Sequence, residues 1–181
     1  YSLDGIGAYH LTLGRNKKSV ELDLKSEDGA KLFKELVSVA DVVVDNFSQG
    51  VTKRLGTDHQ SLKKVNPKII TCSISGFGDT ELNRPAYDNL IQGYAGAMSI
   101  TGTDKDNPVK SGIPIADLGA GLYAVIGILS AIQSREKNDS GEHVDISMLD
   151  TQVSLLTYMA TMHFLSGENP EPIGNQHMNH V

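Results

Sequence analysis

The sequence holds a single cysteine, Cys72. An internal disulfide is therefore excluded, and a reducing compartment is the expectation: a cytoplasmic protein, or a mitochondrial one in a eukaryote. Basic residues are outnumbered, with 16 Lys and Arg against 22 Asp and Glu and a formal charge of −6. That balance argues against nucleic-acid binding, which needs a basic surface to displace counterions. Long apolar runs are missing too. The longest, Leu118 to Ile132, is interrupted by Gly119, Gly121, Gly127 and Ser130. It falls short of the ~20 apolar residues of a membrane-spanning helix, so no membrane partner is expected. Neither glycine fingerprint of nucleotide-binding loops occurs, and no Gly-x-Ser-x-Gly elbow offers a serine nucleophile. The six histidines lack ligand spacing; His177 and His180 stand three apart, and no metal is expected. No Met and no signal peptide open the chain, so it reads as a piece of a longer protein.

What is present is an ordinary globular composition, 39% hydrophobic and 21% charged over 181 residues. Arg15 to Lys18 reads as a turn and Ser19 to Leu24 as a strand of period two. Ser26 is placed to cap a helix over about 27–39, with Leu32, Phe33, Leu36 and Val37 on one face. Asp41 to Asp45 and Lys68 to Ser75 read as buried parallel strands. Short helices are predicted at Val51–Leu55 and His59–Val65, and a Gly-containing helix at Asn89–Met98. Long helices are predicted over about 118–135 and over Leu149–Leu165, with a strand at Glu142–Ser147 between them. Alternating strands and helices point to an α/β fold with a parallel sheet. Ligands of such sheets sit beyond the carboxyl ends of the strands. That selects the loops at Asn46-Phe47, Gly76-Phe77-Gly78 and Ile115-Ala116-Asp117.

Asp117 precedes a long apolar helix and has two compatible readings. It is a capping carboxylate, or a nucleophile or base at a helix N-terminus with Gly119 and Gly121 allowing close approach. Arg15, Lys17, Lys18 and Lys25 form the best anion site of an acidic chain, or a solvated turn. Arg54 is equally open, and Tyr87 is either a ligand hydrogen-bonder or a half-buried aromatic. Cys72, within a strand, reads as a small inert hydrophobe.

Six stretches, in order along nearly the whole chain, resemble the family III CoA-transferases, which have alpha-methylacyl-CoA racemases as relatives. They are GRNKKSVELDL (14–24), ADVVVDNFSQGVTKRLG (40–56), NPKIITCSISGFG (66–78), RPAYDNLIQGYAGAMSITG (84–102), IPIADLGAGLYAVIGILSAI (113–132) and SGEHVDISMLD (140–150). The resemblance implies a partial chain: residues 1–148 of a large Rossmann-like CoA-binding domain, a connecting helix over 149–165, and the start of a small domain over 166–181. It implies an interlocked homodimer, coenzyme A carried as acyl-CoA substrate, and a free short-chain or dicarboxylic acid as acceptor. Asp117 stands where the family has its nucleophile, which carries an aspartyl-CoA intermediate. Leu22, Lys25, Asn46, Phe47, Arg54 and Met148 stand at CoA-contacting positions, and Tyr87 at a ligand-contacting one. The racemases have a His at the place of Tyr87. A phenol with a pKa near 10 is a poor base at neutral pH, which favours transfer over racemisation. A non-catalytic CoA-binding domain is the remaining alternative. Two departures stand out: Gly141-Glu142 replaces a usual Gly-Gln pair, and the tail lacks the Pro that usually follows its His.

Overall fold

The computed structural model describes residues 1–80, 82 and 84–177; His180 and the end of the tail lie outside them. The chain divides into two compact units, Tyr1–Phe33 and Lys34–Val181. In the first, β1 (Ser2–Leu3) and β2 (Ile6–Gly7) form a two-residue antiparallel ladder, followed by α1 (Ala8–Leu13). The predicted turn at Arg15–Lys18 is present, closed by the Lys17 amide on the Gly14 carbonyl at 3.1 Å, with Asn16 at φ 61°. The strand expected over Ser19–Leu24 is not formed. Its alternation is real, but a strand exists only through a ladder, and these residues have none among the described ones. Helix α2 (Glu27–Val39) begins where the sequence placed it, with the Ser26 hydroxyl accepting the Gly29 amide at 3.0 Å.

The second unit is built on a three-stranded parallel sheet in the order β3 (Val42–Asp45), β4 (Ile70–Ser75), β5 (His143–Ser147). Helices α3 (Val51–Leu55) and α4 (His59–Lys63) connect β3 to β4; α5 (Asp88–Tyr94) and α6 (Ile115–Asn138) connect β4 to β5. The sheet is sided. Ile74 and Ile146 point to α5 and α6 and pack on a core of Phe77, Ile91, Ala116, Ala120 and Met148. Thr71, Ser73, Asp45, His143 and Asp145 line a cavity on the opposite face.

Helix α6 carries small residues inward and large ones outward. Ala116, Gly119, Ala120, Ala124 and Ala131 are buried, whereas Leu118, Leu122, Ile126 and Leu129 remain largely open to solvent. A Cβ at Gly127 would lie 2.6 Å from a Val144 methyl, so the helix approaches β5 closely there. By length and composition α6 matches a membrane-crossing helix, which the count of uninterrupted apolar residues did not suggest. Its small-residue face packs on β4 and β5. Arg135, in its last turn, ties the strand starts together through the Asp41 carboxylate (2.9 Å) and the Lys68 carbonyl (3.1 Å).

Two predicted helices are interrupted. Asn89–Met98 becomes α5 and a 3-10 turn over Ala97–Ile100, parted at Gly96 with φ 80°. The single helix expected over Leu149–Leu165 is two, α7 (Met148–Ser154) and α8 (Tyr158–Ser166). Thr157 stands between them at φ 51°, ψ −125°, a conformation that no helical periodicity announces for a β-branched residue.

Candidate active site

Asp117 lies in the first turn of α6, which begins two residues earlier and follows Pro114. The capping role open to Asp117 falls instead to Asp88. The Asp88 Oδ1 accepts the amides of Ala116 (2.9 Å) and Asp117 (3.3 Å). Its Oδ2 accepts from the Gln92 side-chain amide at 2.7 Å, and the Gln92 carbonyl accepts the Ser111 amide at 2.8 Å. Gln92 is only 1% exposed, so this chain of bonds fixes the start of α6 from inside the protein. The Asp117 side chain is left free of the cap and faces outward. Partial burial, then the Asp88 carboxylate, push its pKa above the ordinary carboxylate value. Two carboxylates meeting at a helix N-terminus raise the basicity of the one that is not committed to backbone amides.

The strand-end loops form the rest of the site. A cavity of about 250 Å³ opens between the loop after β3 and the loop after β4. Asn46, Phe47, Phe77, Arg84 and Tyr87 line it. Asn46 is structural at one end: its amide donates to the Ile74 carbonyl at 2.6 Å and ties the two loops together. Phe47 and Tyr87 are 44% and 70% exposed, so both present ring surface to a ligand. Tyr87 immediately precedes Asp88, which brings this cavity beside the Asp117 end of α6. Arg54 is exposed on α3, one turn beyond Gly50, whose φ is 79°. Met148 is 6% exposed and belongs to the core under Ala116 and Ala120. Leu22 and Lys25 belong to the first unit, Leu22 half-buried and Lys25 exposed, as are Arg15, Lys17 and Lys18. Asp88 and Gln92 escaped the sequence reading because Asp88 caps a helix 28 residues away. Arg84 escaped because an Arg before a Pro carries no motif of its own.

On the other sheet face, Thr71 bridges two imidazoles, with His59 Nδ1 at 2.9 Å and His143 Nδ1 at 2.8 Å from its hydroxyl. One hydroxyl proton serves one histidine, so the other ring must donate. Burial, then His143 and Lys63, hold His59 below its ordinary 6.5. A histidine with a depressed folded pKa gives stability that is full above the unfolded value and is lost as pH falls below it. Removing His143 relieves the second of these causes, so urea melts of His143→Gln are expected to show less loss of stability between pH 7 and 5.5 than the native chain. An unchanged pH slope would contradict the coupling of His59 to His143. Cys72 is inert as expected: burial, then Asp45 and Asp145, push its thiol up to about 11.

Asp88→Asn removes one of the two causes of the Asp117 shift while an Asn can still cap α6. The acid limb of any activity that needs ionised Asp117 is expected to move to lower pH. Asp88→Ala also removes the cap and is expected to cost about 1–2 kcal/mol in denaturant melts.

Comparison with known proteins identifies the family. The family model described as CoA-transferase family III matches residues 1–181. A succinate–glutarate CoA-transferase of Agrobacterium fabrum is 38% identical over 174 residues, covering 95% of this chain and 44% of its own. A succinyl-CoA:mesaconate CoA-transferase of Haloarcula hispanica is 35% identical over 180 residues, covering 96% of this chain and 46% of its own. Among solved structures, a CaiB/BaiF family protein from Brucella suis superposes with TM-score 0.86 at 41% identity, over 90% of this chain and 44% of that one. The chain thus spans under half the length of the curated relatives it matches.

Proposed function

This chain belongs to CoA-transferase family III, and from that premise we propose that the intact protein moves coenzyme A from an acyl-CoA to a free dicarboxylic acid, with Asp117 as nucleophile. The observation that carries the reading is the Asp88 cap. It holds the first turn of α6 in place while leaving the Asp117 carboxylate uncommitted and more basic than usual.

An Asp117 oxygen attacks the carbonyl carbon of the donor thioester and expels CoA thiolate, forming a mixed anhydride. The thiolate then attacks the aspartyl carbonyl of that anhydride. The donor acid leaves as its carboxylate, and CoA is held as an aspartyl thioester. The acceptor carboxylate attacks this thioester, expelling the thiolate again and forming the second anhydride. Attack of the thiolate on the acceptor's acyl carbonyl gives the new acyl-CoA and restores the Asp117 carboxylate. Each step exchanges one acyl bond for another, so no water is consumed and an enclosed site suits the chemistry.

Phe47 packs on apolar parts of CoA, Arg54 meets its phosphates, and Asn46 holds the loop that carries Phe47. Residues 1–148 are taken as part of a large Rossmann-like domain, 149–165 as the connector and 166–181 as the start of a small domain. The outward stripe of Leu118, Leu122, Ile126 and Leu129 is apolar surface of the kind an interlocked homodimer buries. Sedimentation of the intact protein tests that assembly, with a monomer contradicting it.

The activity test offers the intact protein a panel of acyl-CoA donors and carboxylate acceptors, with product masses read out. New acyl-CoA species with dicarboxylates are expected. Exchange of the α-proton in deuterated water, without transfer, would assign racemase activity instead; CoA binding with neither would leave a binding domain.

A further inference from the structure

We propose that Arg84 is a substrate-anchoring residue: it takes the free, non-reacting carboxylate of the dicarboxylic acid, making the cavity between the strand-end loops the acid-binding pocket. The proposal rests on the CoA-transfer reading above and adds a subsite to it.

Arg84 sits on the loop between β4 and α5, with its guanidinium carbon 5.3 Å from the Phe77 ring centroid and 4.7 Å from that of Tyr94. The two rings meet edge to face, with an interplanar angle of 81°. Phe77 is itself in the core, 5% exposed, so the corner against which Arg84 rests is fixed. Contacts to aromatic rings engage the charge of a guanidinium and leave N–H groups available for a hydrogen-bond acceptor. Among the described residues those groups have no acceptor. The ion pairs there are Lys68–Asp139 and Arg135–Asp41, and neither involves Arg84. A positioned, exposed and unpaired guanidinium is a bidentate receptor for a carboxylate.

The surroundings select the ligand. Among the described residues that line the Arg84 cavity there is no Asp or Glu, in a chain of formal charge −6. The larger cavity on the polar sheet face has Asp45, Asp58, Asp79 and Asp145 in its wall and would repel an organic acid. At about 250 Å³ the Arg84 cavity lies below the ~300–1,000 Å³ range of drug-sized ligands. It suits a small diacid rather than a whole nucleotide. Tyr87 leads from this cavity into Asp88 and so to the Asp117 end of α6. The proposed pocket thus lies on the loop that continues into the Asp88 cap of the helix carrying Asp117.

The test uses the intact protein with glutarate and pentanoate as acceptors, which differ in the second carboxylate alone. Arg84→Gln is expected to lower kcat/KM for glutarate by about 10–100-fold, the loss of a charge-assisted pair, with pentanoate changed less than about threefold. Arg84→Lys should restore part of the glutarate rate. Equal losses with both acids, accompanied by a raised KM for the acyl-CoA, would place Arg84 on a CoA phosphate and overturn the proposal. No loss with either would overturn it as well. Calorimetric titration of glutarate into the native protein and Arg84→Gln gives a readout independent of turnover. Arg84-dependent binding in a protein that transfers no CoA would refute the transfer reading while keeping the anchor; Arg84-independent binding would refute the anchor alone.

Discussion

Replacing Asp117 with Asn in the intact protein is expected to lower kcat by at least about 10⁴-fold, because the covalent route has no second nucleophile to use. Affinity for CoA should stay within about threefold, as for substitutions away from the contacts that hold a ligand. The same change should make the fold more stable at neutral pH. Asp117 has a folded pKa raised by partial burial and by Asp88. Its charged form is therefore disfavoured in the folded state, and stability declines as pH rises from the unfolded value of 3.8 through the folded one. At neutral pH the whole cost is present, and the neutral amide removes it. A variant that is inactive and melts higher than the native protein separates loss of chemistry from loss of fold. An inactive variant that melts lower would indicate that Asp117 supports the start of α6 structurally.

Gly141→Ala is expected to produce the largest loss of stability, about 3 kcal/mol or more. Gly141 sits in the turn that brings the chain from α6 into β5, and its amide donates to the Pro67 carbonyl at 2.9 Å. A Cβ there would overlap the Ile69 carbonyl oxygen and crowd Lys68, both backbone at the start of β4. Neither strand start can yield easily, since Arg135 binds the Lys68 carbonyl and Asp41 together. For a chain of this size about 3 kcal/mol lowers Tm by roughly 10 °C. Gly127→Ala is the informative companion. Its Cβ meets a Val144 methyl, a side chain that can turn, so a smaller loss of about 1 kcal/mol is expected. Equal losses at the two glycines would contradict this distinction between backbone and side-chain crowding.

The elements that were legible in the sequence are those whose signal is local. The strand containing Val42, Val43 and Val44, the Ser26 cap of α2 and the Gly56 stop of α3, with φ 67°, all depend on near neighbours and are found where expected. The burial expected of that strand is not found: β3 stands at the end of the strand order among the described residues, and Val44 is 54% exposed. The misses depend on partners distant in the chain. Ser19–Leu24 alternates like a strand and has no ladder to join among the described residues. The break at Thr157 follows no Gly or Pro and splits an otherwise helical stretch. The same division runs through the site. Asp117 was visible because it stands at a strand-to-helix junction within a recognisable stretch. Its cap by Asp88, the buried Gln92 behind that cap, and the Phe77–Arg84–Tyr94 cluster arise only when β4, α5 and α6 are brought together.

The role of Asp117 is tested most directly by catching the covalent intermediate. The intact protein is mixed with succinyl-CoA in the absence of acceptor, treated with hydroxylamine, digested, and its peptides weighed. A hydroxamate is expected on the peptide carrying Asp117, absent when acyl-CoA is omitted and absent from Asp117→Asn. Full transfer activity with an unmodified Asp117 peptide, or a hydroxamate on a different carboxylate, would contradict that role.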